Sequence, residues 1–224
     1  MMKRMLAVMS VVALLATSAS ALPGPNSMGV FVDNVPTTTV GPRCVTKASG
    51  PIDFYLCLMN PEVPAPAPTQ VAAYEVVLNV PGGNQLFGNW DLQGGINVGE
   101  VTDWGNVQLF VGTGGNPLTP DENNVILLAH WSGIMTGMAP IAFQIRGNPP
   151  TQSFPETKGF GYAADENTLV ECTAMTGQSF DSDWGAVSSN WVLVINNDGT
   201  YDTFCNAPVG DVDTTWSSLK GLYR

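Results

Sequence analysis

Beyond residue 21 the hydrophobic positions recur mostly in twos or in short unbroken runs, the period of strands with one buried face. Met28, Val30 and Val32 alternate with Gly29, Phe31 and Asp33, which predicts a first edge strand. Segments 53–60, 71–80, 94–98, 107–112, 125–131, 141–146, 159–163, 169–174 and 191–195 follow, rich in β-branched and aromatic residues. Gly, Pro, Asn and Asp separate them, as turns require. The spacing predicts one all-β domain, an Ig-like β-sandwich of about nine strands over residues 22–209. A polyproline-like stretch, 61–68, is short enough to be a crossing between sheets.

Two regions break the two-residue period. At the start, Lys3 and Arg4 precede the apolar run Met5 to Ala16 and the small residues Ala19, Ser20 and Ala21, the pattern of a secretory signal peptide over residues 1–21. The run is too short for a permanent span, so the mature chain is expected to carry no transmembrane segment. At the other end, residues 210–224 form a hinge and an amphipathic tail. Thr214 or Thr215 can cap a short C-terminal helix whose Trp216, Leu219 and Tyr223 share one stripe, with Lys220 and Arg224 at its negative end. That stripe is expected to dock on the sandwich or to serve as a terminal tag.

Charge narrows the partners. The chain holds 19 acidic and 8 basic residues, a formal charge of −11, and losing Lys3 and Arg4 with the leader takes it to −13. Nothing clusters Lys and Arg as phosphate binding demands, so nucleic acid and anionic membranes are not expected as partners. Export leaves the envelope or the extracellular space, where proteins, polysaccharides and cations remain. The four cysteines, Cys44, Cys57, Cys172 and Cys205, are an even set for an oxidising compartment. Three pairings are open; proximity favours Cys44 with Cys57 and Cys172 with Cys205, leaving no free thiolate.

Catalytic constellations are sparse. The single histidine, His130, falls in the 125–131 strand on the face of Ile126 and Leu128, the place of a structural histidine. Neither a Gly-x-Ser-x-Gly elbow nor a P-loop occurs, and Gly112-Thr-Gly-Gly115 reads as a hairpin connection. Glycoside hydrolysis asks only for two carboxylates, and Glu75 and Glu171 are the most strand-embedded ones. No cofactor is called for. Calcium is the one ion the chain offers oxygens to, through Asp181, Asp183, Asn196 and Asp198, although 197–199 also reads as a turn before Tyr201.

Aromatic residues offer a sugar platform, since flat rings stack on sugar faces. Trp90, Trp104 and Trp184 follow turn-rich segments and are the candidates, whereas Trp131 and Trp191 lie within strands and belong to the core. Asp103-Trp-Gly-Asn-Val107 echoes Asp183-Trp-Gly-Ala-Val187, which predicts a reused Asx turn with a left-handed glycine and a tryptophan covering the sheet edge.

The leader, Met28-Gly-Val-Phe-Val-Asp33, Ala73-Tyr-Glu-Val-Val-Leu78 and the tail Trp216-Ser-Ser-Leu-Lys-Gly-Leu-Tyr-Arg224 resemble uncharacterised secreted bacterial proteins with a cohesin-like sandwich. The resemblance implies a non-enzymatic interaction or structural module of the envelope. True cohesins bind dockerin partners; the resemblance carries no site residue to this chain. A carbohydrate-binding or calcium-dependent binding protein is the alternative reading, and a carboxylate-based glycoside hydrolase the third.

Overall fold

Alternation does what the sequence implies: along the long strands alternate side chains turn inward, with one bulge interrupting the period, and the inward sets of two sheets meet. The computed structural model describes residues 24–36, 44–101, 103–147, 153–154, 159–175 and 191–206; the leader, the tail and segment 181–190 lie outside them. Twelve strands occur among the described residues: β1 (Ser27–Val32), β2 (Cys44–Val45), β3 (Gly50–Met59), β4 (Ala73–Asn79), β5 (Leu86–Asp91), β6 (Ile96–Asn97), β7 (Val107–Gly112), β8 (Val125–Met135), β9 (Ile141–Arg146), β10 (Phe160–Ala163), β11 (Leu169–Ala174) and β12 (Trp191–Ile195). Ten of them fall on the ten predicted segments; β2 and β5, which no alternation announces, are the other two. Among the described residues a 3-10 turn, Gly83–Gln85, precedes β5, and one α-helical turn, α1 (Asp202–Cys205), follows β12.

One layer runs β5-β8-β3-β1, all antiparallel. In the other, β6, β7 and β4 are neighbours, and the far edge of β4 is shared by β10 at Ala73–Glu75 and β9 at Val77–Asn79. From there β10 leads to β11, and β9 to β12 and β2. β1 pairs in parallel with β11 and antiparallel with β3, so it is an interior strand and not the expected edge. As expected, segment 61–68 crosses between layers, from β3 to β4. The run Gly112–Gly115 also crosses, because β7 and β8 lie in different layers; it is not a hairpin.

Between the layers sit Phe54, Leu56 and Leu58 of β3, Val76 and Leu78 of β4, Leu109 of β7 and Phe143 and Ile145 of β9, all fully buried. Phe54 bridges them, stacking on Trp131 of β8 at 5.2 Å and meeting Phe143 at 4.7 Å. Each such ring removes its apolar area from water, about 2–3 kcal/mol apiece before entropy is charged.

One irregularity decides which residues of β8 face out. Leu56 pairs with Ala129 but Cys57 with Leu127, so Leu128 is an extra residue, a β-bulge. The Tyr74 hydroxyl, buried in the opposite layer, donates to the Leu128 carbonyl at 3.0 Å. Past the bulge the phase inverts. Trp131 and Met135 point inward, whereas His130, Ser132 and Ile134 point out. His130 is therefore not on the face of Ile126 and Leu128, which corrects the sequence expectation.

The cysteines are also reassigned. Cys44 is bonded to Cys205, with Cα atoms 5.6 Å apart across a sequence separation of 161. Val194 of β12 pairs with Cys44, and α1 returns to the same end. Closing so long a loop is worth about 5 kcal/mol in the chain-entropy account. Cys57 and Cys172 are buried free thiols. Gly29 of β1 lies opposite Cys57, and β11 carries Cys172 on the far side of β1. Two strand spacings, about 9.6 Å, exceed the reach of a disulfide. Burial first, and then Asp121 for Cys57 or Glu171 for Cys172, pushes both thiols well above the ordinary range, so they stay protonated.

Candidate functional site

Strand register assembles a groove on the outer face of β6-β7-β4-β10-β11. One row across it reads Ile96, Gly112, Ala73, Ala163, Leu169, each paired with the next. Its middle is paved with the smallest side chains and its ends carry exposed large ones: Ile96 is 69% and Leu169 54% exposed. The next row reads Phe110, Glu75, Gly161, Glu171, with Val98, 81% exposed, hydrogen-bonded to the Phe110 carbonyl through its backbone N–H at 2.9 Å. Gly112 has open space where a side chain would stand. At Gly161 a side chain would strike the Phe154 ring, which lies over it. The resulting groove holds about 230 Å³ and is lined by Val98, Phe110, Phe154, Leu169 and Glu75 among others.

Glu75 is the one carboxylate lining it among the described residues. Ser153 donates twice to Glu75 Oε2, from its backbone N–H at 3.1 Å and its hydroxyl at 2.7 Å. Oε1 is shut off from solvent and has no hydrogen-bond partner. A buried oxygen left unbonded among apolar groups costs on the order of 1–3 kcal/mol. Glu171 sits two strands away on the same face with Gly161 between, about 10 Å from Glu75 by strand spacing. Sequence reasoning named both residues; what it lacked was the register that aligns them. Glycoside hydrolysis needs both carboxyl groups to meet the scissile bond or its attacking water. Glu75, sealed at one oxygen and tied at the other, is not set up for that.

The tryptophan candidates divide. Trp90 and Trp104 do meet, with centroids 6.4 Å apart, and Trp104 stands edge-on to buried Trp131 at 5.5 Å. Their planes differ by 48° and both are half-buried against the core, so they continue the aromatic interior and do not form a flat platform. Trp104 Nε1–H is spent on the Leu86 carbonyl at 3.3 Å. Asp103 Oδ1 accepts from the Gly105 N–H at 2.7 Å, the predicted Asx turn, although Gly105 is not left-handed. Trp131 is core as expected and Trp191 is half-buried. Trp184 and the second Asp-Trp-Gly copy lie outside the described residues.

Of the calcium candidates, Asp181 and Asp183 lie outside the described residues. Asn196 Oδ1 accepts from the Lys47 N–H at 2.8 Å. Asp198 Oδ1 accepts from the Thr200 hydroxyl at 2.6 Å and its N–H at 3.1 Å, and those bonds hold its carboxyl below the usual range. Asn197 caps Gly199 and Tyr201, so the run is the turn that opens α1. No group of three or more metal-ligating side chains converges among the described residues. The tail residues Trp216, Leu219 and Tyr223 lie outside them.

The opposite outer face, on β5-β8-β3-β1, has a different character. His130 Nε2 is 2.9 Å from Asp53 Oδ1, and the imidazole stacks on Tyr55 at 4.6 Å with planes 6° apart. Phe31, Tyr55, His130 and Asp91 form one row across the four strands. Lys47 pairs with Asp33 nearby. Ser132 shares the face but is not hydrogen-bonded to the imidazole, so the Ser-His-Asp residues present are not a triad.

No protein-family model matches the chain, and no curated protein does. Among solved structures, a non-cellulosomal cohesin from the hyperthermophilic archaeon Archaeoglobus fulgidus aligns with 66% of this chain and 86% of its own length. Identity is 12% and the TM-score 0.38. A likeness at that level transfers no residue to this site. No helix among the described residues is long and apolar enough to cross a membrane.

Proposed function

We propose that this chain is an exported, non-enzymatic binding module that docks a protein partner on the outer face of β6-β7-β4-β10-β11. The observation that carries the reading is the groove. Exposed Ile96, Val98 and Leu169 rim a floor of Gly and Ala, and such patches mark interaction surfaces. Export rests on the leader and is favoured by the Cys44–Cys205 bond, which persists in oxidising compartments. Polysaccharide and calcium are the rival ligands.

Placing a photo-crosslinking residue at Val98 or Leu169, and as a control at Phe87 on the other layer, tests the surface. A discrete protein adduct from the first two positions and none from the third is the expected result. Adducts from Phe87 alone, or a thermal shift with polysaccharide or with calcium reversed by chelator, would replace the reading. A second reading, glycoside hydrolysis, is favoured only by the shared face of Glu75 and Glu171. Turnover of an aryl glycoside that disappears in both Glu75→Gln and Glu171→Gln would establish it.

A further inference from the structure

We infer that the groove receives a lysine side chain of the docked partner, its ammonium bonding to Oε1 of Glu75; this rests on the docking reading above. Oε1 is buried and unpartnered, so the carboxylate's share of the desolvation that opposes ion pairing has already been met in folding, and only the ammonium's remains. What the oxygen lacks is a donor. With a formal charge of −11 on the chain and Glu171 on the same face, the complement is a cation.

The choice between cations follows from the free valence. Ser153 occupies Oε2 with two donors, leaving one oxygen to offer. Guanidinium pairs best as a fork on two oxygens, whereas an ammonium is a point donor satisfied by one. The walls suit the rest of the side chain, since a lysine buries its methylenes along apolar surface while its head seeks charge. Phe110, Phe154, Val98 and Leu169 supply that surface. Groove side chains must part to admit the ammonium to Oε1, a rotamer change of the kind interfaces commonly make.

Glycine and alanine floor the approach for a reason that β-propensity does not supply. Gly112 has no neighbour where its side chain would stand, so nothing in the fold forbids a larger residue there. Leaving it empty keeps the groove open.

The test is an amide NMR titration of the full folded chain with butylammonium chloride, alongside butylguanidinium and n-butanol. Butylammonium is expected to shift Phe110, Gly112, Gly161 and Leu169, n-butanol not to, and Glu75→Gln to weaken the effect at least tenfold while the melting temperature holds. Equal binding of butylguanidinium, or unchanged affinity in Glu75→Gln, overturns the inference. The source of the amine is read by repeating the Val98 crosslink in Glu75→Gln: loss of the adduct supports a partner lysine. An undiminished adduct beside lost butylammonium binding means a free amine is the ligand, which overturns it. No adduct in the parent protein means that the docking reading itself has failed. Should Glu75→Gln not fold, Gly112→Val blocks the same groove and is expected to abolish both signals.

Discussion

Asp53 on β3 and Glu75 on β4 both project outward, from opposite layers and from mid-strand, and their surroundings differ. Asp53 is paired with His130, which stacks on Tyr55, and Lys47 and Asp33 add a second pair nearby. Glu75 stands between a glycine and a phenylalanine with one oxygen unbonded. The first face has met its polar needs from within the ladder. The second has kept an unmet one at Glu75, and because buried polar atoms are so generally bonded, such an exception calls for an explanation, which the proposed partner lysine supplies.

The largest effect comes from removing what sets the first face apart. Inserting one alanine between Ala129 and His130 slips the remainder of β8 by one position against β3, so Trp131 would turn out and His130 in. The expected outcome is loss of the cooperative unfolding transition in a thermal melt. A gentler cut at the same point is Tyr74→Phe. It strands the buried Leu128 carbonyl and should cost about 1–3 kcal/mol, read from the denaturation midpoint at unchanged m-value. If Tyr74→Phe were neutral, the bulge would be held by packing alone.

Asp53→Asn probes the comparison directly. The pair is about one-third exposed at His130 and more at Asp53, so solvent screens it, and its loss should cost less than about 1 kcal/mol in the same assay. A cost of several kcal/mol would mean that this face, too, hides a group depending on its partner, and the contrast with Glu75 would collapse.

Much of this architecture was legible because β-strands announce themselves by alternation and by their turn residues. Val107–Gly112, Ile141–Arg146, Leu169–Ala174 and Trp191–Ile195 fall where the pattern puts them. β5 escaped because Leu86-Phe-Gly-Asn-Trp-Asp mixes glycine and polar residues on an edge strand, where only one side is packed, and β2 because two residues hold no period. The bulge was invisible since one extra residue leaves the apolar run Val125 to Leu128 intact while inverting everything after it. Likewise the disulfide: sequence proximity favours short loops, whereas the register of β2 on β12 brings Cys44 to Cys205 and puts β1 between Cys57 and Cys172. Glu75 and Glu171 were visible as strand carboxylates, but their common face depends on the pairing of β10 with both β4 and β11.

The smallest expected change in stability sharpens the comparison most. Gly112→Val adds a β-branched residue to a strand position whose backbone it can adopt, in space that the fold leaves empty, and the entropy it removes from the unfolded chain offsets the apolar surface it exposes. Its melting temperature should match the parent's within a degree or two, since 1 kcal/mol corresponds to about 2–4 °C in a domain of this size. The groove between Phe110 and Leu169 would nevertheless be filled. A variant as stable as the parent that has lost the Val98 crosslink would separate the site from the scaffold that carries it. One that keeps the crosslink would move the docking surface off the groove and onto its rim, at Ile96 and Val98, with Glu75 left as a flaw in the sheet.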